Sequence, residues 1–534
     1  MAADKNPYYI LAVVCSAMFL DLSNLSAITI ALPTIQRQFN VDVGDLQWII
    51  SAYALTFGGF LLVGGRGGDI FGHRRMLLFG TCFFALFTLV CALSPTFIGL
   101  VMARAFQGIG AAFTIPAAQA QLAVQFSDPA RKAKALGIWG ASGSLGFIIG
   151  LILGGVLTDL LGWEWIFWTS LILSAIVIPA AYFILPRPSP ERAVNPSPTD
   201  PEENSGARRP EKHLFQAVFD SLIRFDALGI SLGVPGILLL TYALSSANSV
   251  GWSAIQIIVT LIIATLLLLL FVFHERTAPQ AVLAPYLFRS LSFNLTLILA
   301  VNTYAVRQAC TYFLTVQLQS FGNSPIHTSV LFIPLGISAL LFNTLAGRLV
   351  PVLGARLMFI AGWSLAIPGV LLFSFIDTHT SYWRFTFPGM VLYIAGIGAV
   401  YITANFVVVS AASRSDQGAA AGVFNVALQV GGSVLGLAVL TAVAQGVEHR
   451  YGDAGRPAGE LGHVGYQSVY YSCVVLCVVG LVISVCAIEV PESMRGSVFR
   501  LSGSEERSAA EPVDGVELDE HVVDGAVLAS TQRQ

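Results

Sequence analysis

GRGGDIFGHRRMLLFG occupies residues 65–80, and GRLVPVLGARLMFIAG occupies residues 347–362. Laid over one another without a gap, they match Gly65 with Gly347, Arg66 with Arg348, Gly72 with Gly354, Arg74 with Arg356, Met76 with Met358 and Gly80 with Gly362. A second pair agrees at its own constant offset: GIGA at 108–111 with GIGA at 396–399, followed by Ser127-Asp128 and Ser415-Asp416. Two separated segments that recur in the same order predict a chain built twice from one unit. The copies differ where the first has Asp69 and the second Pro351.

The surroundings of the repeat are apolar. Of 534 residues, 55% are hydrophobic and 11% charged, with a mean hydropathy of +0.74. A soluble domain carries about 25% charged residues, so lipid must cover most of this outside. A span needs about 20 apolar residues, and fourteen such runs can be read, from residues 8–32 to 465–490. Two of them, 97–124 and 291–321, are long enough to tilt or bend. The repeat sets spans 2–5 against spans 10–13, so spans 1–6 and 9–14 form two halves and spans 7 and 8 an insertion. The expected fold is therefore an all-α polytopic membrane protein of six, two and six helices, with an N-terminal half at 1–185, an inserted pair at 227–290 and a C-terminal half at 291–490. A Pro- and charge-rich linker (186–226) and an acidic, polar tail (491–534) are expected to be disordered and cytoplasmic. Two parallel halves of this kind place a substrate site between them near mid-membrane.

Charge gives the orientation. With the N-terminus inside, the inner segments hold 22 of the 28 Lys and Arg residues; only Arg37, Arg384, Arg450 and Arg456 fall outside, and Arg104 and Arg307 within spans. That bias predicts cytoplasmic termini. A net charge of −3 gives no reason to expect nucleic acid, and no GxxxxGK[ST] loop is present to hold ATP phosphates. GASG at 140–143 fits an intramembrane serine protease pattern, but all eight histidines lie in loops or at span ends, and HExxH does not occur. Neither a protease nor a bis-histidine haem protein fits, and no enzyme or metal site is expected. The seven cysteines lie in apolar runs and read as small buried hydrophobes.

Charges at bilayer depth are functional hypotheses by default. Asp21 is the only carboxylate far from a span end. A proton carrier needs a group that is neutral in one exposure and charged in the other, and burial and a nearby Arg act on a carboxyl in opposite senses. Asp21 with Arg104 is thus read as a proton-coupling pair, the alternative being a permanent interhelical ion pair. Arg307 either meets an anionic substrate group or satisfies helix-end carbonyls. For the substrate cavity the expectation is Trp139, Tyr304, Arg307, Tyr312, Tyr401, Asn405, Asn425 and Gln429, with Asn425 and Gln429 facing one way at a four-residue spacing.

These residues resemble the major facilitator superfamily, in particular its fourteen-span drug:proton antiporter branch and its fungal efflux members, over about residues 8–490. LDLSNLSAITIALP (20–33) looks like that branch's first-span signature, WIISAYAL (48–55) its second-span pattern, and RAFQGIGAA (104–112) its RxxQGxGAA. Gly65, Asp69, Gly72 and Arg74 match the GxxxDxxGxR loop. The resemblance gives this loop, with Arg75, a gating role in which Asp69 bonds across a helix end; topology-setting charge is the alternative for its arginines. It also makes Arg104 a proton-coupling arginine. GFIIGLILGG (146–155) keeps the antiporter motif's glycines Gly146, Gly150, Gly154 and Gly155 but has Leu151 in place of proline. The rim motif WRWIF reads WEWIF, with Glu164 reversing a charge. The resemblance implies a monomeric transporter in the plasma or an internal membrane. It would exchange protons for a small hydrophobic compound (a drug, a toxin or the cell's own secondary metabolite), with the proton gradient in place of any cofactor. Proton-coupled uptake, for example of a siderophore, and a non-transporting sensor are the alternatives.

Overall fold

A computed structural model describes residues 7–41, 48–126, 128–186, 226–277, 286–323, 325–378, 380–413, 416–451 and 461–486. Apart from residues 186 and 226, the expected linker and tail lie outside these. Fourteen long helical segments run through them: α1 (Pro7–Phe39), α2 (Trp48–Phe71), α3 (His73–Ala92), α4 (Phe97–Gln125), α5 (Pro129–Leu160), α6 (Glu164–Ile184), α7 (Ala227–Val250), α8 (Ile255–Thr277), α9 (Leu291–Ser320), α10 (Ile333–Leu353, led in by a short helix, Pro325–Leu331), α11 (Ala355–Phe373), α12 (Thr386–Ala411), α13 (Gln417–Tyr451) and α14 (His463–Cys486). Thirteen are long and apolar enough to cross a membrane. The exception is α9, which at 30 residues has the length but carries Asn294, Asn302, Arg307, Gln308, Gln317 and Gln319. Part of its polarity is absorbed by neighbours: Asn302 donates to the Leu476 carbonyl of α14 at 2.7 Å, and Gln317 accepts from the Tyr470 hydroxyl at 2.8 Å.

Helices α1–α6 pack on one another, as do α9–α14. Without water to drive apolar faces together, helices in lipid associate where small residues let backbones approach. A side chain at Gly146, Gly150 or Gly154 on α5 would collide with the carbonyls of Phe19, Ser23 and Ala27 on α1, whereas one at Gly155 would meet only the edge of Ile30. With Leu151 at the proline position, α5 runs unbroken to Leu160.

The two groups meet along two crossings, and the repeat glycines make both. Gly65 on α2 lies against the backbone of Gly418 and Gly422 on α13, while its counterpart Gly347 on α10 lies against Ala133 and Gly137 on α5. The arginines correspond too. Arg74 donates to the Tyr182 carbonyl at the end of α6, and Arg356 to the Val485 carbonyl at the end of α14. Each satisfies a carbonyl left without a partner where the sixth helix of its group ends.

The inserted pair α7–α8 packs against α2, with Trp48 stacked on Tyr242 (ring centroids 5.9 Å apart) and Leu238 filling the space over Gly59. His274 and Asp226 join its ends at 2.7 Å. The cysteines are all free; Cys91, Cys310, Cys473 and Cys477 are buried as expected, but Cys82 and Cys486 are exposed. Both sit on helical faces turned away from the bundle, where a lipid-facing thiol is as acceptable as a buried one.

Because Gly150 faces the Ser23 backbone, which cannot give way, as well as the Ser26 hydroxyl, Gly150→Val should cost about 1–3 kcal/mol or more through overpacking, whereas Gly155→Ala should be neutral. Thermal unfolding of the two variants in detergent checks this, and equal midpoints would refute the proposed α1–α5 contact.

Candidate functional site

Asp21 on α1 faces the interior of the first helix group. It accepts a hydrogen bond from the Tyr53 hydroxyl of α2. Beside it lies a cavity of about 10 Å³, bordered by Thr81, Phe84 and Thr114 among others, which is about the room one water needs. Arg104 on α4 lies fully buried, with its guanidinium carbon 4.4 Å from the centre of the Tyr53 ring. It makes no ion pair with Asp21. Its donors go to Asn24 Oδ1 at 2.7 Å, Gln107 Oε1 at 2.6 Å and the Ile49 carbonyl at 3.1 Å. Gln107 passes the network on to Thr88 at 2.6 Å, and Asn24 to Ser170 at 3.1 Å. The alternative of a permanent ion pair is thus not what is found, because a phenol stands between the two charges: Tyr53 offers its hydroxyl to the carboxylate and its ring face to the cation.

Asp69, at the end of α2, accepts from the backbone N–H groups of Gly418 at 2.8 Å and Ala419 at 2.7 Å. These are unpaired donors of the first turn of α13, where a carboxylate also meets the positive end of the helix dipole. One turn back on α2, Arg66 lies 3.5 Å from Asp416, and Asp416 accepts from the Ser413 hydroxyl at 2.7 Å and the Tyr286 hydroxyl at 3.0 Å. Gly72, at φ 93°, occupies a backbone region that favours glycine and separates α2 from α3. Arg75 is exposed. The latch has no equal at the other crossing, since Pro351 has no carboxylate to offer α5.

Deeper between the groups, Gln119 on α4 donates to Asn405 Oδ1 on α12 and accepts from Asn425 on α13, both at 2.6 Å. Asn343 on α10 donates to the Ser144 hydroxyl on α5 at 3.3 Å. These bonds, with Asp69 and Arg66, join the groups from the Asp69 face to about mid-span. Toward the far face, α1 and α5 are parted from α10 and its lead-in helix by a crevice of about 240 Å³, whose border includes Ile30, Leu151, Gly155, Asp159 and Val330.

The expected cavity residues divide. Tyr304 and Tyr401 lie 5.8 Å apart, Tyr401 stacks on Phe424 at 6.1 Å, and Arg307 sits 4.3 Å from the centre of the Tyr304 ring. Tyr401 also borders Gly140 of α5, so this aromatic group reaches the interface. Trp139 is fully buried. Asn405 and Asn425 are committed to Gln119. Tyr312 is 45% exposed, on the outer face of α9, so it does not belong with the others. Asn425 and Gln429 do not act together either, because α13 becomes a π-helix at Ala427–Gly436. The wider i→i+5 turn breaks the four-residue register, so Asn425 reaches α4 while Gln429 leans toward Gly58 of α2.

Sequence reasoning did not single out Tyr53, Asn24, Gln107 or Gln119. The first three lie inside the motif stretches 48–55, 20–33 and 104–112, where their polarity in apolar runs was the available signal. Gln119 carries no motif, and only its partners reveal it.

Asp69→Asn removes one of two equivalent acceptors and the charge at the helix end, and should loosen the latch by about 1–3 kcal/mol. That is roughly a ten- to hundredfold shift between latched and unlatched states. Turnover should fall while substrate binding stays measurable; lost binding with unchanged saturated rate would remove Asp69 from a gating role.

The pattern of the Major Facilitator Superfamily matches residues 14–274. The puromycin resistance protein pur8 of Streptomyces alboniger is 30% identical over 455 residues, covering 84% of each chain. The major facilitator superfamily multidrug transporter mfsC of Aspergillus fumigatus is 27% identical over 427 residues, covering 78% of this chain and 76% of that one. Among solved structures, the human organic anion transporter MFSD10 superposes with a TM-score of 0.61 at 16% identity, over 89% of this chain and 99% of that one, a likeness of fold alone. With a relative this similar along most of its length, and two six-helix groups joined at repeat glycines, the chain belongs to the major facilitator superfamily.

Proposed function

We propose that the chain is a secondary active transporter that exports a small, largely hydrophobic organic compound in exchange for protons. It works as a single chain in the plasma membrane with both termini in the cytoplasm. The proton gradient supplies its energy, and no bound cofactor takes part. Antibiotic resistance and multidrug transport in the names of its relatives support export of toxic small molecules. The Lys and Arg bias supports the orientation, in which the Asp69 face is cytoplasmic and the far crevice opens outward.

One observation carries the coupling: Asp21 is buried at depth, held by a phenol rather than a guanidinium, and next to room for one water. Arg104 keeps three hydrogen bonds, to Asn24, Gln107 and Ile49, whatever the charge on Asp21, so that charge can come and go without stranding it. A charged Asp21 accepts the Tyr53 hydroxyl. A protonated one competes as a donor and frees the phenol. Tyr53 and Ile49 both lie on α2, whose last turn latches α13 through Asp69. Proton occupancy at Asp21 thereby acts on the helix that closes the cytoplasmic face.

Asp21→Asn keeps the shape and removes the titrating group. Proton-coupled export should be abolished, with protein level and thermal midpoint near wild type, because the partners of Arg104 remain. Proteoliposomes that still change lumenal pH on addition of substrate would show that the proton site is elsewhere. A variant that unfolds instead would make Asp21 a scaffold, since breaking a buried charge network costs about 3–5 kcal/mol.

A further inference from the structure

The chain has two arginines at depth, and it treats them differently. Arg104 has an oxygen partner for each direction its donors take except one Nη. Among the described residues Arg307 makes no ion pair, and its Nε is buried without an acceptor. What surrounds it is phenolic: Tyr304 meets the guanidinium through a hydrogen bond and its ring face, and Tyr401 lies 5.8 Å beyond Tyr304. Nor is it capping its own helix: α9 continues to Ser320, thirteen residues on, about 20 Å away. The Tyr393 hydroxyl donates to the Arg307 carbonyl at 2.9 Å, so it is tied to the backbone of Arg307.

A buried cation carries a desolvation penalty of several kcal/mol, and the ring face and one hydrogen bond of a neutral phenol, Tyr304, return only part of it. An arginine left in deficit, with part of its surface open, beside aromatic faces that reach the interface between the two helix groups, is a receptor for an anion. We infer that Arg307 binds the acid group of the cargo and that Tyr304, Tyr401 and Phe424 hold its apolar body, so that the cargo class is organic acids with an aromatic or extended apolar portion. This rests on the transport reading above and narrows it: amines and other cations are disfavoured substrates. The fork of the guanidinium suits a carboxylate or sulfonate bound through two oxygens.

The test uses the purified full-length protein and three xanthene dyes of similar size: fluorescein, its neutral ester methylated at both the carboxyl group and the phenol, and rhodamine 6G, which is cationic. Binding is read by fluorescence anisotropy in detergent, and transport in proteoliposomes under a pH gradient. Wild type should bind fluorescein at least about tenfold tighter than the ester or rhodamine 6G, the size expected of a charge-assisted pair. Arg307→Gln should abolish that preference without weakening rhodamine 6G, and Arg307→Lys should keep part of it. Equal affinities in wild type, no binding of the anion, or an Arg307→Gln variant that loses all three dyes alike while remaining folded would overturn the assignment. Should Arg307→Gln fail to fold, the wild-type acid-against-ester comparison still decides. Binding preference without any gradient-driven movement would leave the anion site standing and remove the proton-coupled export reading instead.

Discussion

Direct contact between helix backbones at Gly65 and Gly347 is the constraint on which the architecture depends. In lipid there is no hydrophobic force between two apolar helices, so two six-helix groups stay together only where atoms approach closely enough for dispersion and hydrogen bonds to act. Each crossing is made by a glycine of the repeated loop meeting a helix of the other group, α13 in one case and α5 in the other. The cross-group hydrogen bonds of Asp69, Gln119 and Asn343 are possible only because these glycines bring the backbones together. A methyl group at either site would push apart the surfaces that carry them.

The repeat keeps its packing residues and relaxes its chemistry. Arg74 and Arg356 do the same work, each closing the end of the sixth helix in its group. Asp69 and Pro351 do not. A carboxylate at one crossing finds two helix-end N–H groups; a proline at the other offers nothing to α5. The two crossings are alike as pivots and unlike as latches, so opening and closing need not be symmetric. The same asymmetry appears at depth, where Arg104 donates to three oxygens, those of Asn24, Gln107 and Ile49, while Arg307 is set among tyrosines.

Tyr53 links these themes. Its hydroxyl meets Asp21, its ring lies under Arg104, and it belongs to α2, the helix that carries both Gly65 and Asp69. One side chain thus stands between a buried carboxylate, a buried cation and a closing contact about four turns away. No long-range pathway needs to be invoked, because α2 is a continuous helix from Trp48 to Phe71.

By itself the sequence determined the helices, their number and their pairing. Lipid admits helices of a set length, so apolar runs read directly as spans, and a gapless match at Gly65, Arg66, Gly72 and Arg74 can survive only where both copies pack alike. Charges at depth were legible for the same reason: Asp21, Arg104 and Arg307 stand out because the solvent around them is apolar. What only the tertiary structure decided is how those groups are paired. Sequence spacing along one helix cannot say which residue of another helix stands opposite, so the reading of Asp21 and Arg104 as a coupling pair, with a permanent ion pair as the alternative, could not include the phenol of Tyr53 that stands between them. Gln119 gave no signal at all, because its role exists only in the positions of Asn405 and Asn425. The periodic reading of Asn425 and Gln429 failed where α13 widens into a π-helix. That widening accompanies Gly431, Gly432 and Gly436, which have no side chain to hold α13 away from Val301 and Ala305 of α9, and such an inter-helix contact is not written in the period of one helix.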